Sequence, residues 1–198
     1  MGMLVDGYWV DADSTIIDGH FVRPDSVFCK DLSDIAERVR TQPGRYWLIA
    51  SSSCPWSHRT LLVRALKRLE HAVPVQIAGG ERTQGYAVAG DAPWTVPGSA
   101  SRIRHLHELY RLSAPGYTGR ATVPVLWDSH ACRIVSNESA RIARALDAAD
   151  TGSASAFTLT PPAFRDRIDT LNADLQVGLF NAVYRAGFAQ RQDAYEEA

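Results

Sequence analysis

Only three cysteines, Cys29, Cys54 and Cys132, occur in 198 residues, and none belongs to a CxxC pair or stands at metal spacing from a histidine. That odd, scattered set excludes a disulfide framework and a zinc site and leaves each thiol free in a reducing compartment. Long apolar runs are also missing; Tyr46-Trp47-Leu48-Ile49-Ala50 has the length of a strand, not of a membrane span. The start, Met1-Gly2-Met3-Leu4-Val5-Asp6, has neither the basic nor the apolar region of a signal peptide. Asp6 occupies the position where a myristoylation motif requires Ser or Thr. Charge of one sign is lacking too: a net charge of −1 gives no bulk attraction to nucleic acid or to anionic membrane. Together these absences predict a cytoplasmic protein with no metal, no nucleic acid and no membrane partner.

What is present is a regular pattern after an irregular beginning. Residues 1–44 read as an extension, with turn signals at Asp6-Gly7, Asp18-Gly19 and Pro43-Gly44 and a short helix over 31–40, where Leu32, Ile35, Ala36 and Val39 share a face. The apolar run 46–50 is a buried strand. A helix follows Pro55, carrying Leu62, Ala65, Leu66 and Leu69 at helical spacing. Residues 73–78 form the second strand, and 101–112 a helix with Ile103, Leu106, Leu109 and Tyr110 inward. Residues 122–127 and 132–135 are two strands joined by a turn at Asp128-Ser129, and 137–146 is the last helix of this unit. The order β-α-β-α-β-β-α over 45–147 is that of a thioredoxin-like α/β domain, with a mixed sheet and helices on both faces. A small, polar linker at 148–162 precedes a helical region, 163–198, in which Phe164, Ile168, Leu171, Leu175 and Leu179 form one stripe. One amphipathic helix cannot bury its own stripe, so residual apolar surface is expected there.

The chemistry concentrates at Ser51-Ser52-Ser53-Cys54-Pro55-Trp56-Ser57-His58-Arg59. This segment puts a thiol where a strand ends and a helix begins, and helix N-termini favour the thiolate, which is the nucleophile. Ser57 stands where a dithiol motif has its second cysteine, so a mixed disulfide at Cys54 must be resolved by an external thiol, for which glutathione is the cytosolic candidate. A lone Cys-Pro is as readily a buried core cysteine, and Ser136-Asn137-Glu138-Ser139 by itself is an ordinary helix start. Two features weigh against those readings. Val123-Pro124 opens a strand where proline is out of place unless it carries a cis bond, and the Ser136–Ser139 helix start is suited to an anion.

The segments Asp6-Gly7-Tyr8-Trp9, Cys54-Pro55-Trp56-Ser57-His58-Arg59-Thr60, Tyr117-Thr118-Gly119-Arg120-Ala121-Thr122-Val123-Pro124-Val125-Leu126-Trp127-Asp128, Ile134-Val135-Ser136-Asn137-Glu138-Ser139 and Val183-Tyr184-Arg185-Ala186-Gly187-Phe188-Ala189 resemble the glutathionyl-hydroquinone reductases, or xi-class glutathione transferases. The resemblance implies an enzyme that removes glutathione from glutathionyl-hydroquinones through a Cys54–glutathione mixed disulfide. It implies that Tyr86, Arg120, Val123, Pro124, Glu138 and Ser139 hold glutathione and that Trp56 and Tyr184 meet the aromatic substrate. The family's usual Gly-Trp after the second strand is Gly85-Tyr86 here, leaving Tyr86 and Trp94 as alternative replacements for the indole. The resemblance further implies a complete all-α C-terminal domain and a homodimer, whereas 163–198 holds only the first helix and a little more, as in a truncated member. Two other readings stay open: an omega-like thiol transferase or dehydroascorbate reductase, and a non-catalytic glutathione-binding module.

Overall fold

A computed structural model describes residues 2–12, 15–28, 31–149 and 157–198. Cys29 and the polar linker residues 150–156 lie outside the described residues. In chain order the elements are β1 (Met3–Val5), β2 (Tyr8–Val10), β3 (Ile16–Ile17), β4 (His20–Phe21), α1 (Ile35–Thr41), β5 (Tyr46–Ala50), α2 (Pro55–Leu66), β6 (Val75–Ile77), β7 (Trp94–Thr95), β8 (Arg102–Ile103), α3 (Leu106–Ser113), β9 (Val125–Asp128), β10 (Arg133–Ser136) and α4 (Ser139–Asp147). A single 3₁₀ turn at Pro162–Phe164 leads into α5 (Arg165–Leu175), a π-helical turn (Gln176–Phe180), α6 (Asn181–Phe188) and α7 (Gln192–Glu196). Two compact units result, one of residues 1–12 and 26–158, the other of 13–25 and 159–198.

The first unit is thioredoxin-like. Its four-stranded sheet has the order β10-β9-β5-β6, with β5 parallel to β6 and antiparallel to β9, and β9 antiparallel to β10. Alternation along β5 divides the core. Tyr46, Leu48 and Ala50 pack with Val63, Ile142 and Leu146 on the α1, α2 and α4 side; Ile49 packs with Leu109, Tyr110, Val125 and Trp127 on the α3 side.

The N-terminal stretch is more regular than its turn signals alone suggested. Asp6-Gly7 and Asp18-Gly19 each take φ values of 48° and 82° and close the two-residue hairpins β1–β2 and β3–β4. Asp-Gly is the residue pair such turns favour, so this signal was available in the sequence. At Gly7 a Cβ would lie 1.9 Å from the Pro115 carbonyl oxygen, so no side chain fits. β1 then pairs with the chain ahead of β9: Leu4 and Gly119 exchange N–H···O bonds of 2.9 Å, and the Gly7 N–H reaches the Tyr117 carbonyl at 3.0 Å.

The helix expected over 101–112 begins only at Leu106. The Glu108 carboxylate accepts the N–H groups of Arg104 and His105, both at 2.8 Å, which caps the helix there. Arg102 and Ile103 instead pair with Thr95 and Trp94 as a small hairpin.

At the opposite end of the sheet from α2's start, Arg45 grips the buried Asp128 with two bonds, 2.9 and 2.6 Å, while the same carboxylate takes the N–H groups of His130 and Ala131 and so shapes the β9–β10 turn. Burial by itself raises the Asp128 pKa, but the Arg45 bond, the turn N–H groups and the Arg45 charge outweigh it and hold it below the ordinary carboxylate value. Its stabilising contribution is therefore full above an unfolded-chain value of about 3.9 and disappears as pH falls through the lower, folded value. The urea midpoint is expected to drop more steeply between neutral and strongly acid pH in the wild type than in Asp128→Asn, which starts lower. Equally steep profiles would show that Asp128 is not the titrating group.

The second unit joins the β3–β4 hairpin to α5–α7. Phe21 and Phe188 rings lie 5.1 Å apart, and the Gln190 N–H reaches the Gly19 carbonyl at 2.9 Å. The expected single helix is interrupted by the π turn, where the Gln176 amide bonds Asn181 at 3.1 Å. Along the predicted stripe Phe164, Leu171 and Leu179 are 56%, 57% and 51% exposed, so apolar surface remains there.

Candidate active site

Topology gathers the chemistry at one end of the sheet. β5 and β6 run toward it, β9 starts from it, and β10 returns to it. The loop after β5, the loop after β6, the chain ahead of β9 and the start of α4 therefore stand in a row.

Cys54 caps α2 with extended dihedrals, φ −109° and ψ 117°, and Pro55 occupies the first turn, where a missing N–H costs nothing. Its N–H reaches the Ser51 carbonyl at 3.2 Å, and its own carbonyl accepts the His58 N–H at 3.0 Å. Ser57, fully buried, accepts the Ser51 N–H at 3.1 Å. The residue in the second-thiol position thus braces the loop that presents the first. Only 7% of Cys54 is exposed, and its Sγ lies 3.6 Å from the Val123 carbonyl oxygen. The Val123-Pro124 bond is cis, as expected from the sequence.

Of the other predicted residues, those in the first unit lie on the loops and helix starts at this end of the sheet. Arg59, one turn into α2, donates from Nη2 to the Ser139 hydroxyl, linking the thiol helix to the start of α4. Glu138 is the N-cap of α4 and accepts the Ala140 N–H at 3.3 Å. Trp56 is half-buried under the Arg59 guanidinium, 5.2 Å from its ring centroid. Arg120 precedes the cis-proline loop, its carbonyl accepting the Tyr117 hydroxyl at 3.1 Å. Tyr86 lies in the loop after β6 beneath Arg82, whose guanidinium is 4.0 Å from the ring centroid and reaches the Ser53 hydroxyl at 3.2 Å. Trp94 stands elsewhere. It packs on Trp47, ring centroids 6.3 Å apart, and the Trp47 indole is tied to the Gly44 carbonyl ahead of β5. Of the two aromatic alternatives, only Tyr86 belongs to the thiol end. Tyr184 lies on α6 in the second unit, stacked on Phe188 at 6.1 Å.

Three residues outside the predicted site set position it. Tyr110 of α3, with no exposed surface, donates to the Thr122 carbonyl at 2.8 Å and accepts the Thr122 N–H at 3.2 Å and the Asn137 amide at 3.0 Å. Asn137 also accepts the Ser26 hydroxyl. One phenol thereby fixes both the chain before the cis proline and the turn before α4. Burial raises its pKa, so it stays protonated and keeps donating at neutral pH. The third is Arg82. A buried tyrosine on a helix face needs a partner for its hydroxyl, and that was the available signal for Tyr110. Arg82 gave none in the sequence.

Among the described residues no group of three or more His, Cys, Asp and Glu side chains could hold a metal ion, and no helix is long and apolar enough to cross a membrane. A separate open cleft, lined in part by Asp6, Tyr8, Arg102, Glu108 and Arg111, contains none of the thiol-site residues.

A thiol capping a helix, 3.6 Å from the carbonyl ahead of a cis proline, on a thioredoxin-like sheet whose last helix is N-capped by Glu138, is the arrangement of a thioredoxin-like transferase N-terminal domain. The family described as glutathione S-transferase, N-terminal domain, matches residues 53–149. The glutathionyl-hydroquinone reductase PcpF of Sphingobium chlorophenolicum is 41% identical over 100% of this chain and 63% of its own length. Among solved structures, the xi-class glutathione transferase of Natrialba magadii superposes with a TM-score of 0.82 at 36% identity, over 100% of this chain and 62% of that one. Glutathione-bound YqjG from Escherichia coli gives 0.72 at 36% identity, over 99% of this chain and 61% of that one. This chain is similar over its whole length to the xi-class glutathione transferases, and it spans less than two thirds of the length of these relatives.

Proposed function

We propose that this chain provides the glutathione site of a cytosolic glutathionyl-hydroquinone reductase. The observation that carries the reading is the single thiol of Cys54, 3.6 Å from the Val123 carbonyl oxygen, with Ser57 where a resolving thiol would stand. The Cys54 thiolate attacks the sulfur of a glutathionyl-hydroquinone. A sulfur–sulfur bond forms, the sulfur–carbon bond breaks, and the ring carbon takes the electron pair and then a proton, leaving hydroquinone. A second glutathione thiolate attacks the mixed disulfide, forming oxidised glutathione and returning the Cys54 thiolate. The proton taken up by the ring is balanced by the one that glutathione loses. Val123 offers backbone groups to the cysteinyl part of glutathione, supported by Pro124 and Arg120. Glu138 and Ser139 receive the γ-glutamyl end, Tyr86 covers the tripeptide, and the resemblance assigns Trp56 and Tyr184, each in its own unit, to the aromatic substrate. Homodimerisation through the helical domain, which the resemblance implies, is part of the same reading.

The test is a pair of steady-state assays with glutathione in excess, one on a glutathionyl-hydroquinone and one on a small glutathione mixed disulfide. Higher catalytic efficiency on the hydroquinone conjugate is expected. Efficient turnover of the mixed disulfide alone assigns the chain to the omega-like thiol transferases. Glutathione binding without turnover of either makes it a binding module.

A further inference from the structure

Across the active end of the sheet, the order of elements sets a direction for a bound tripeptide. α4 with Glu138 and Ser139 follows β10, Val123-Pro124 leads into β9, Cys54 follows β5, and the loop with Arg82 follows β6. With the γ-glutamyl end at α4 and the cysteinyl part between Val123 and Cys54, the glycyl end can run only toward β6. Neighbouring strands lie about 4.8 Å apart, so the row covers roughly 14 Å, the reach of an extended γ-linked tripeptide together with an arginine side chain.

At that end stands a guanidinium already held in place. Arg82 is exposed, stacks on Tyr86 at 4.0 Å and donates to the Ser53 hydroxyl at 3.2 Å; that hydroxyl shares a 3.1 Å bond with Ser51 in the loop presenting Cys54. Stacking engages one face of the guanidinium and Ser53 takes one N–H of Nη2, leaving the other in-plane N–H donors to meet a carboxylate. Holding the group before a ligand arrives lowers the ordering cost of binding.

We propose that Arg82, supported by Tyr86 and Ser53, is a specificity-determining residue that binds the glycyl carboxylate of glutathione and selects substrates whose tripeptide ends in a free acid. This rests on the glutathione reading, not on the hydroquinone as leaving group.

The experiment measures the rate at which Cys54 of the full chain forms a mixed disulfide with oxidised glutathione and with its ester blocked at both glycyl carboxylates, read by mass spectrometry. Cys54 sulfur attacks one sulfur of the disulfide and a glutathione thiolate leaves, so no other oxidant enters. Each rate is divided by that for free cysteine, which removes intrinsic reactivity. The wild type is expected to prefer the acid by roughly tenfold, the scale of one partly exposed charge-assisted hydrogen-bonded pair. Arg82→Met is expected to abolish the preference and Arg82→Lys to restore part of it. An Arg82→Met chain that keeps the wild-type preference overturns the proposal, and so does a wild type with no preference. Failure to release hydroquinone while the preference persists overturns only the choice of leaving group. No Cys54 adduct from either compound overturns both.

Discussion

Cys54→Ser is expected to abolish the glutathione adduct and to lower turnover of glutathionyl conjugates by roughly 10³-fold or more, the scale of removing a covalent nucleophile. The serine hydroxyl fits the same N-cap position, so folding is expected to persist; what disappears is the atom that exchanges with a disulfide. The other described thiol differs in every relevant respect. Cys132 sits at φ 48° in the β9–β10 turn, its Sγ 3.0 Å from the Gly98 carbonyl and 3.5 Å from that of Ser129, with no helix start beneath it. Cys132→Ser and Cys29→Ser are therefore expected to keep the adduct. Peptide mapping after exposure to oxidised glutathione checks this directly. A modified Cys132 or Cys29 in the Cys54→Ser chain, formed at the wild-type rate, contradicts the assignment.

Tyr110→Phe should be the most damaging change away from the thiol. The phenol sits among Phe28 and Tyr117 rings at 5.3 and 5.2 Å, and its hydroxyl serves both backbone groups of Thr122 and the Asn137 amide. Phenylalanine fills the same space but leaves several buried polar groups without this partner, at about 1–3 kcal/mol for each group that stays unsatisfied. A net loss of about 3 kcal/mol, and a fall in Tm of roughly 10 °C, is expected. Because Thr122 directly precedes Val123-Pro124, the rate of Cys54 adduct formation should fall as well, even well below the new Tm. Tyr117→Phe is the comparison, since it loses a single bond to the Arg120 carbonyl. Thermal denaturation and adduct kinetics together decide the matter. A Tyr110→Phe chain that matches Tyr117→Phe in both would remove the proposed brace.

Much of the frame can be read along the chain because it is locally encoded. The apolar run of β5 ends at a serine turn, Cys-Pro opens α2, and apolar residues at helical spacing mark α3 and α4. The cis proline is anticipated from a residue type that a central strand rejects. Where the reading slipped, it did so at boundaries. Helical periodicity extended α3 back to residue 101, but the Glu108 carboxylate, by taking the N–H groups of Arg104 and His105, starts it at Leu106. Asp-Gly at 6–7 and 18–19 gave turns, while the partners that make them hairpins were short and easily passed over.

By itself the sequence determined the order of the four main-sheet strands with the helices between them and the place of Cys54 at the start of α2, because dihedral preferences, N-caps and two- or 3.6-residue periodicity depend on near neighbours. Only the tertiary structure decided what stands beside that thiol. Val123 reaches it across 69 positions, Arg59 meets Ser139 across 80, and Arg82 meets Ser53 across 29. It also decided between two aromatics that the sequence left equivalent, sending Trp94 to Trp47 at the far end of the sheet and Tyr86 to Arg82 at the active end. Residue type limits which contacts a side chain can make. Strand order and direction, set by burying both faces of the sheet at once, choose which of them it does make.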